Sequence, residues 1–142
     1  MSLVAQQLTL QAGTRTLVDA LDLTLDAGEV LGILGANGAG KSTLLTVLAG
    51  LALPAHGQVT LDGQRVTTLP PLTRAQHTGL LPQADEGGFF GSVAEFVALG
   101  HYPFGAAPDL VPHLATWELT ELAPRPLATL SGGERQRARL AQ

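Results

Sequence analysis

The 142-residue sequence contains no cysteine and only eight lysine and arginine residues together. The absence of cysteine excludes a scaffold held by disulfides and a metal site built from thiolates. A net charge of −4 argues against a large nucleic-acid footprint, because such a surface needs a basic face. We therefore expect no nucleic-acid partner for this chain.

Long apolar runs are missing as well. The longest, near residues 44–55, contains Thr46, Gly50 and Pro54 and falls short of the roughly 18 residues that a membrane helix needs. The N-terminal residues lack the basic start and the continuous apolar stretch of a signal peptide. We therefore expect any membrane role to go through a partner. What remains, 45 % apolar and 14 % charged residues, is the composition of an ordinary globular domain.

The hydrophobic pattern predicts strands in the first part of the chain and helices in the second. Strands are predicted at residues 2–10, 18–25, 30–34, 58–61 and 78–81. Helices are predicted at residues 42–49, 93–99 and 110–122, and a further helix from 129 onward. This order predicts an α/β domain that carries a helical insertion.

Residues 35–43 read GANGAGKST and match G-x-x-x-x-G-K-[ST] between the predicted strand 30–34 and the predicted helix. Glycines let the backbone approach a ligand closely, so amide N–H groups and the helix N-terminus can hold the phosphates of ATP. Lys41, the only lysine, would place its charge beside the β- and γ-phosphates, and Ser42 would offer a hydroxyl to Mg²⁺. The alternative is a flexible glycine loop that matches by chance. The residues assigned to ATP are Gly35, Asn37, Gly38, Gly40, Lys41, Ser42 and Thr43, with Lys41 also assigned a catalytic role.

Residues 130–136 read LSGGERQ and indicate a second phosphate contact. Ser131 can cap a helix, while Gly132 and Gly133 leave the first N–H groups of that helix bare. A simpler interpretation is a capping box between Ser131 and Glu134, three residues later. The capping box alone does not account for two consecutive glycines, each of which weakens a helix.

With this second motif the sequence resembles the ATP-binding cassette (ABC) ATPases, whose signature is LSGGQ or a close variant. Ser131 follows Lys41 by 90 positions, the separation usual in transporter cassettes. The resemblance implies a P-loop NTPase fold of the ABC type, an α/β core with an N-terminal antiparallel β subdomain and an α-helical subdomain. We expect one domain over residues 1–142 with the helical part at 84–130. The resemblance further implies that Ser131, Gly132 and Gly133 contact a γ-phosphate held by a second cassette, in a homodimer or a paired cassette.

Gln83, in the sequence LLPQ at 80–83, is similar to the glutamine of the family's Q-loop. That resemblance implies a catalytic glutamine whose amide oxygen reaches Mg²⁺ or the attacking water, in a segment that senses the membrane subunits. The alternative is a surface glutamine in a turn that follows Pro82. Ala12 stands where the family often has an aromatic side chain that stacks on adenine, so we expect weak base selectivity.

Two features of the family have no counterpart in this sequence. The family places an apolar strand ending in Asp-Glu beyond the signature, and a histidine switch further on. Here the sequence ends at Gln142, all four histidines precede the signature, and neither Asp62 nor Asp85-Glu86 follows an apolar strand. Hydrolysis needs a metal-anchoring carboxylate and a group that polarises water. We therefore expect a cassette that is incomplete at its C-terminus, binds ATP weakly with little Mg²⁺, shows little or no turnover, and is marginally stable.

Residues 93–105 read VAEFVALGHYPFG and are similar to the tract after the Q-loop in importers of metal chelates, meaning siderophore-iron, haem and cobalamin. That group often has Gly-Arg-x-Pro in this tract, and His101 replaces the arginine. The alternative is an ordinary amphipathic helix ended by a proline turn. His101 and Tyr102 are not expected to ligate a metal, because no second ligand stands at a suitable spacing.

The resemblance implies the ATP-binding subunit of an importer, which lies in the cytoplasm at the inner face of the plasma membrane and docks on integral-membrane permease subunits. Two alternatives stay open: a truncated ATP-binding fragment that does not hydrolyse ATP, and a soluble cassette ATPase outside transport. A repair cassette of the long-arm type would need a coiled coil between the two motifs, and 90 positions leave no room for it.

Overall fold

The computed structural model describes residues 1–83, 88–105 and 109–142. Within these ranges the chain forms two compact units, Met1–Leu80 and Leu81–Gln142. The start of the predicted helical insertion at residue 84, and with it Asp85-Glu86, lies outside the described residues. None of the helices in the described ranges combines the length and the apolar character that a membrane crossing needs.

An antiparallel sheet forms most of the first unit. Strand β1 spans Ser2–Ala12, β2 spans Arg15–Asp26, β3 spans His56–Leu61 and β4 spans Gln64–Arg65, in the order β2-β1-β3-β4. Strands β1 and β2 form a hairpin, because Gly13 adopts a φ of 60° in the turn that joins them. The antiparallel N-terminal part of the predicted fold is therefore confirmed, with strands somewhat longer than the sequence indicated.

Helix α1 spans Lys41–Leu48 and begins at the end of the GANGAGKST sequence. Its buried residues Leu44, Val47 and Leu48 share a core with β1, β3 and Val66. The helix ends at Gly50, whose φ of 71° lets its N–H donate to the carbonyl oxygen of Val47 at 3.0 Å. The packing of α1 on this core and its termination before Gly50 together fix where the helix begins. A short helix α2 spans Pro71–His77.

Two predicted strands are wrong. Residues 30–34 and 78–81 have no strand structure, and Val30 and Leu34 are 98 % and 95 % exposed. A strand needs a neighbour that accepts and donates its backbone hydrogen bonds, and the four-stranded sheet does not include either segment. The apolar run before the glycine loop is therefore irregular and largely exposed, with only Ile33 packed against the core of the first unit, although its composition is that of a buried strand.

The second unit is helical. Helix α3 spans Val93–Ala98, α4 spans Val111–Thr116 and α5 spans Gly132–Ala141. Segments of 3₁₀-helix lie at Leu99–Phe104, Thr120–Leu122 and Leu127–Thr129. The predicted helix 110–122 is shorter than expected, because Glu118 adopts a left-handed φ of 55° that ends helical continuation. The core of this unit is apolar and contains Val93, Val97, Leu114, Leu119, Leu127, Leu130, Ala138 and Ala141.

Candidate functional site

The glycine-rich loop is closed by its lysine. The Nζ atom of Lys41 donates hydrogen bonds of 2.8 Å to the carbonyl oxygens of Gly35 and Ala36. Within the loop, the N–H of Ala39 donates to the carbonyl oxygen of Ala36 at 3.2 Å. The loop thus folds back on Lys41, the first residue of α1. The Lys41 ammonium group lies against the loop backbone just before the helix.

Three glycines of this loop, Gly35, Gly38 and Gly40, have positive φ angles. Gly38 and Gly40 have φ values of 78° and 96°, in the left-handed region that residues with a Cβ avoid. A Cβ on Gly40 would also lie 2.9 Å from the Cβ of Leu17 in β2, so the loop packs directly against the sheet. Gly40 is the N-cap of α1 and provides no side-chain cap, which leaves the first N–H groups of the helix for another partner.

The first turn of α1 presents two hydroxyl side chains. Ser42 and Thr43 are both exposed, as are Asn37 and Gly38 in the loop before them. A helix N-terminus, backbone amides of a glycine-rich loop and one ammonium group form an arrangement that binds an anion. These residues therefore fit a polyphosphate. For Mg²⁺ the first turn of α1 offers hydroxyl oxygens, of which Ser42 is the predicted ligand. The described residues contain no group of three or more histidine, aspartate or glutamate side chains that could hold a metal ion.

The LSGGERQ sequence forms the start of α5. Ser131 is the N-cap, and its N–H and hydroxyl donate to Oε2 of Glu134 at 2.7 and 2.6 Å. The Ser131 hydroxyl bond and then the Ser131 backbone bond hold the pKa of Glu134 below its usual value. The capping box is therefore real. Gly132 and Gly133 are exposed, and a Cβ on either would meet nothing within 4 Å, so steric crowding does not explain the two glycines.

A second capping box of the same design stands in α3, and sequence reasoning missed it. Ser92 caps that helix, and its N–H donates to Oε2 of Glu95 at 2.7 Å. Next to this box, the N–H of Val93 donates to the carbonyl oxygen of Arg125 at 2.9 Å, and the N–H of Leu127 to that of Gly91 at 2.9 Å. These hydrogen bonds attach residues 125–127, which precede the LSGGERQ sequence, to the start of α3. The S-x-x-E spacing at 92–95 was the available signal.

Gln83 belongs to the second unit, where it is an exposed residue that follows Pro82. The short strand that was predicted to precede it is absent. Its role as a ligand of Mg²⁺ and as a catalytic group stays a prediction, as do the nucleotide contacts assigned to the loop and to the signature.

One pair of histidines comes together that the sequence did not indicate. The rings of His101 and His113 have centroids 5.0 Å apart and planes inclined by 70°. His101 lies in the 3₁₀ turn after α3 and is half-buried, while His113 lies in α4 and is exposed. They are 12 positions apart and lie in two different elements, so only the fold brings them together.

Comparison with solved structures defines the class of fold. The chain is similar to a bacterial Atm1-family ABC exporter with ATP bound, with a TM-score of 0.83 and 24 % identity over 99 % of this chain and 26 % of the other. It is also similar to cbiO1 from Clostridium perfringens, part of the ABC transporter complex cbiONQ, with a TM-score of 0.79 over 98 % of this chain and 59 % of the other. The fold is that of an ABC ATPase cassette, as predicted.

Residues 18–142 match the family described as ABC transporter. The chain belongs to this family. Among curated proteins it is 40 % identical to the hemin import ATP-binding protein HmuV of Pseudomonas aeruginosa, over 96 % of this chain and 56 % of that protein. It is 42 % identical to HmuV of Nocardia farcinica, over 90 % of this chain and 47 % of that protein. The chain thus spans about half the length of these relatives.

Proposed function

We propose that this chain is the ATP-binding part of an ABC importer for haem or a related metal chelate. The observation that carries the proposal is the loop in which Lys41 returns to the carbonyls of Gly35 and Ala36 at the N-terminus of α1. That arrangement directs an ammonium group, backbone amides and a helix dipole toward one anion. The exposed Ser42 hydroxyl is the group of this turn that we assign to Mg²⁺.

ATP binding follows from the positive charge of Lys41 and from the N–H groups at the start of α1. The triphosphate takes the place of water at the free N–H groups of α1, and Lys41 turns from the loop carbonyls to the β- and γ-phosphates. Bound Mg²⁺ supplies neutralisation of phosphate charge during hydrolysis. Lys41 and Gln83 are the groups of this chain assigned to that step, and the signature residues Ser131, Gly132 and Gly133 are assigned to the γ-phosphate of a second cassette.

The haem-type cargo rests on the relatives. Both HmuV proteins are hemin import ATP-binding proteins, and each shares about two fifths of its residues with this chain over the matched part. We assign the second unit to the helical subdomain that docks on integral-membrane permease subunits, which places the protein at the inner face of the plasma membrane. Pairing with a second cassette completes each nucleotide site.

A growth experiment in the organism that carries this gene tests the proposal. Lys41→Ala is introduced at the chromosomal copy, and growth is followed with hemin as the only iron source and with ferrous iron. Loss of growth on hemin with normal growth on ferrous iron is expected, because transport then lacks its nucleotide-driven step. Arg65→Ala, in the exposed strand β4 of the same unit, is the control that should leave both growth rates unchanged.

Two results of this experiment count against the proposal. Unimpaired growth of the Lys41→Ala strain on hemin would contradict a role of this chain in hemin import. Impaired growth on both iron sources would show that the ATP-dependent function of this chain is not specific to the import of metal chelates. A titration of ATP into the purified Lys41→Ala chain shows whether the substitution has removed nucleotide binding, on which both conclusions depend.

A further inference from the structure

His101 and His113 form a close ring pair that the nucleotide site does not use. Their centroids lie 5.0 Å apart, and the ring planes are inclined by 70°. In the ranges that the structure describes, no carboxylate lies within ion-pair distance of either imidazole. The two imidazoles meet edge to face, and among the described residues no hydrogen bond or ion pair occupies their nitrogen atoms.

We propose that His101 and His113 chelate a divalent transition-metal ion through one imidazole nitrogen each. The ligand class follows from the donors, because imidazole suits Zn²⁺, Ni²⁺ and Cu²⁺, whereas Mg²⁺ requires oxygen. Solvent supplies the remaining coordination positions, since His113 is exposed and His101 is only half-buried. This site is independent of the glycine loop and of the proposed transport function.

The ring separation supports two ligands in adjacent positions on one ion. With metal–nitrogen distances of about 2.0–2.1 Å, two imidazoles at the tetrahedral angle have centroids about 5.2 Å apart, and at a right angle about 4.5 Å apart. The observed 5.0 Å lies between these values.

The same distance argues against haem iron held between the two rings. Axial ligands on opposite sides of an iron would have centroids about 6.4 Å apart when the metal–nitrogen distance is about 2.0 Å. The pair is closer than that, and a porphyrin between the rings would have to separate them. The free ion is therefore the ligand, and not the haem-type cargo proposed for the transporter.

Calorimetric titration of the complete, tag-free chain with NiCl₂ and with ZnCl₂ tests this site. One saturable ion per chain is expected, and MgCl₂ should give no heat at this site. His113→Phe and His101→Phe keep an aromatic ring in the edge contact but remove the nitrogens. Each should lower the metal affinity at least about tenfold, since even indirect supports of a metal ligand contribute about tenfold or more.

The other two histidines provide matched controls. His56 and His77 are exposed residues of the first unit, and His56→Phe and His77→Phe should leave the affinity unchanged. Electron paramagnetic resonance of the Cu²⁺-loaded chain should show coupling to two nitrogens in the parent and to one in His113→Phe. Circular dichroism confirms that each variant has the helix content of the parent.

Three outcomes overturn the proposal. The first is the absence of saturable Ni²⁺ and Zn²⁺ binding by the parent chain. The second is full metal affinity in folded His113→Phe, which would make the pair a structural ring contact only. The third is an equal loss of affinity in His56→Phe or His77→Phe, which would show dispersed binding by surface histidines.

Discussion

The ammonium group of Lys41 is held 2.8 Å from the carbonyl oxygen of Gly35, six positions earlier in the chain. This hydrogen bond joins the two ends of the glycine loop before any ligand arrives. The positive charge is therefore already near the place where phosphate is expected, and binding exchanges carbonyl contacts for phosphate contacts. Little ordering of the Lys41 side chain is left for the ligand to supply.

Gly40→Ala should disturb the loop more than a comparable glycine substitution elsewhere. Both Gly40 and Gly63 adopt left-handed φ values, of 96° and 81°, but only at Gly40 would a Cβ approach Leu17 within 2.9 Å. The left-handed strain alone costs about 1–3 kcal/mol. Urea unfolding should show a larger loss of stability in Gly40→Ala than in Gly63→Ala, and ATP affinity should fall only in Gly40→Ala. Equal losses in the two variants would refute the close packing of the loop on β2.

The capping serines allow a matched test of the signature. Ser131→Ala and Ser92→Ala each remove the N-cap of a capping box, and each should lower stability by about 0.5–2 kcal/mol. If Ser131 also contacts a γ-phosphate in a paired cassette, ATP-dependent self-association should weaken in Ser131→Ala and persist in Ser92→Ala. Sedimentation velocity with and without ATP measures this difference. The same self-association in both variants would reduce Ser131 to a helix cap.

Stability should depend on pH through Glu134. Hydrogen bonds from Ser131 lower the pKa of Glu134 in the folded chain, so its charged form stabilises the fold above the unfolded value near 4.5. The contribution is lost as the pH falls through the lowered folded pKa. Urea unfolding should therefore show parent and Glu134→Gln differing at neutral pH and converging in acid. A difference that stays constant down to about pH 2, well below the ordinary glutamate pKa, would contradict this account.

The exposure of the apolar run before the loop can be tested with one type of substitution. Leu8 is fully buried in β1, whereas Leu34 is 95 % exposed. Leu8→Ala should cost about 2–5 kcal/mol, because it leaves a cavity in the core. Leu34→Ala should change stability by no more than about 0.5 kcal/mol in this chain. A large cost for Leu34→Ala would show that the Leu34 side chain is packed in solution.

Local patterns predicted much of this fold and of the candidate site. The turn at Gly13, helix α1 with its end at Gly50, and the capping box of Ser131 follow from residue types at short spacing. The run at 30–34 was misassigned because strand structure depends on a partner distant in sequence, which an apolar composition does not guarantee. The contact of His101 with His113 had no sequence signal for the same reason, since the two residues lie in different elements of the second unit.

Calorimetric titration of ATP into the parent chain and into Lys41→Glu tests the central claim most directly. Reversal of this charge should weaken ATP binding by roughly tenfold or more, because a hydrogen-bonded charge contributes about 1.5–3 kcal/mol. Arg65→Glu, an exposed charge reversal in β4, should bind ATP as the parent does. If Lys41→Glu retains the parent's ATP affinity, the glycine loop is not the phosphate site.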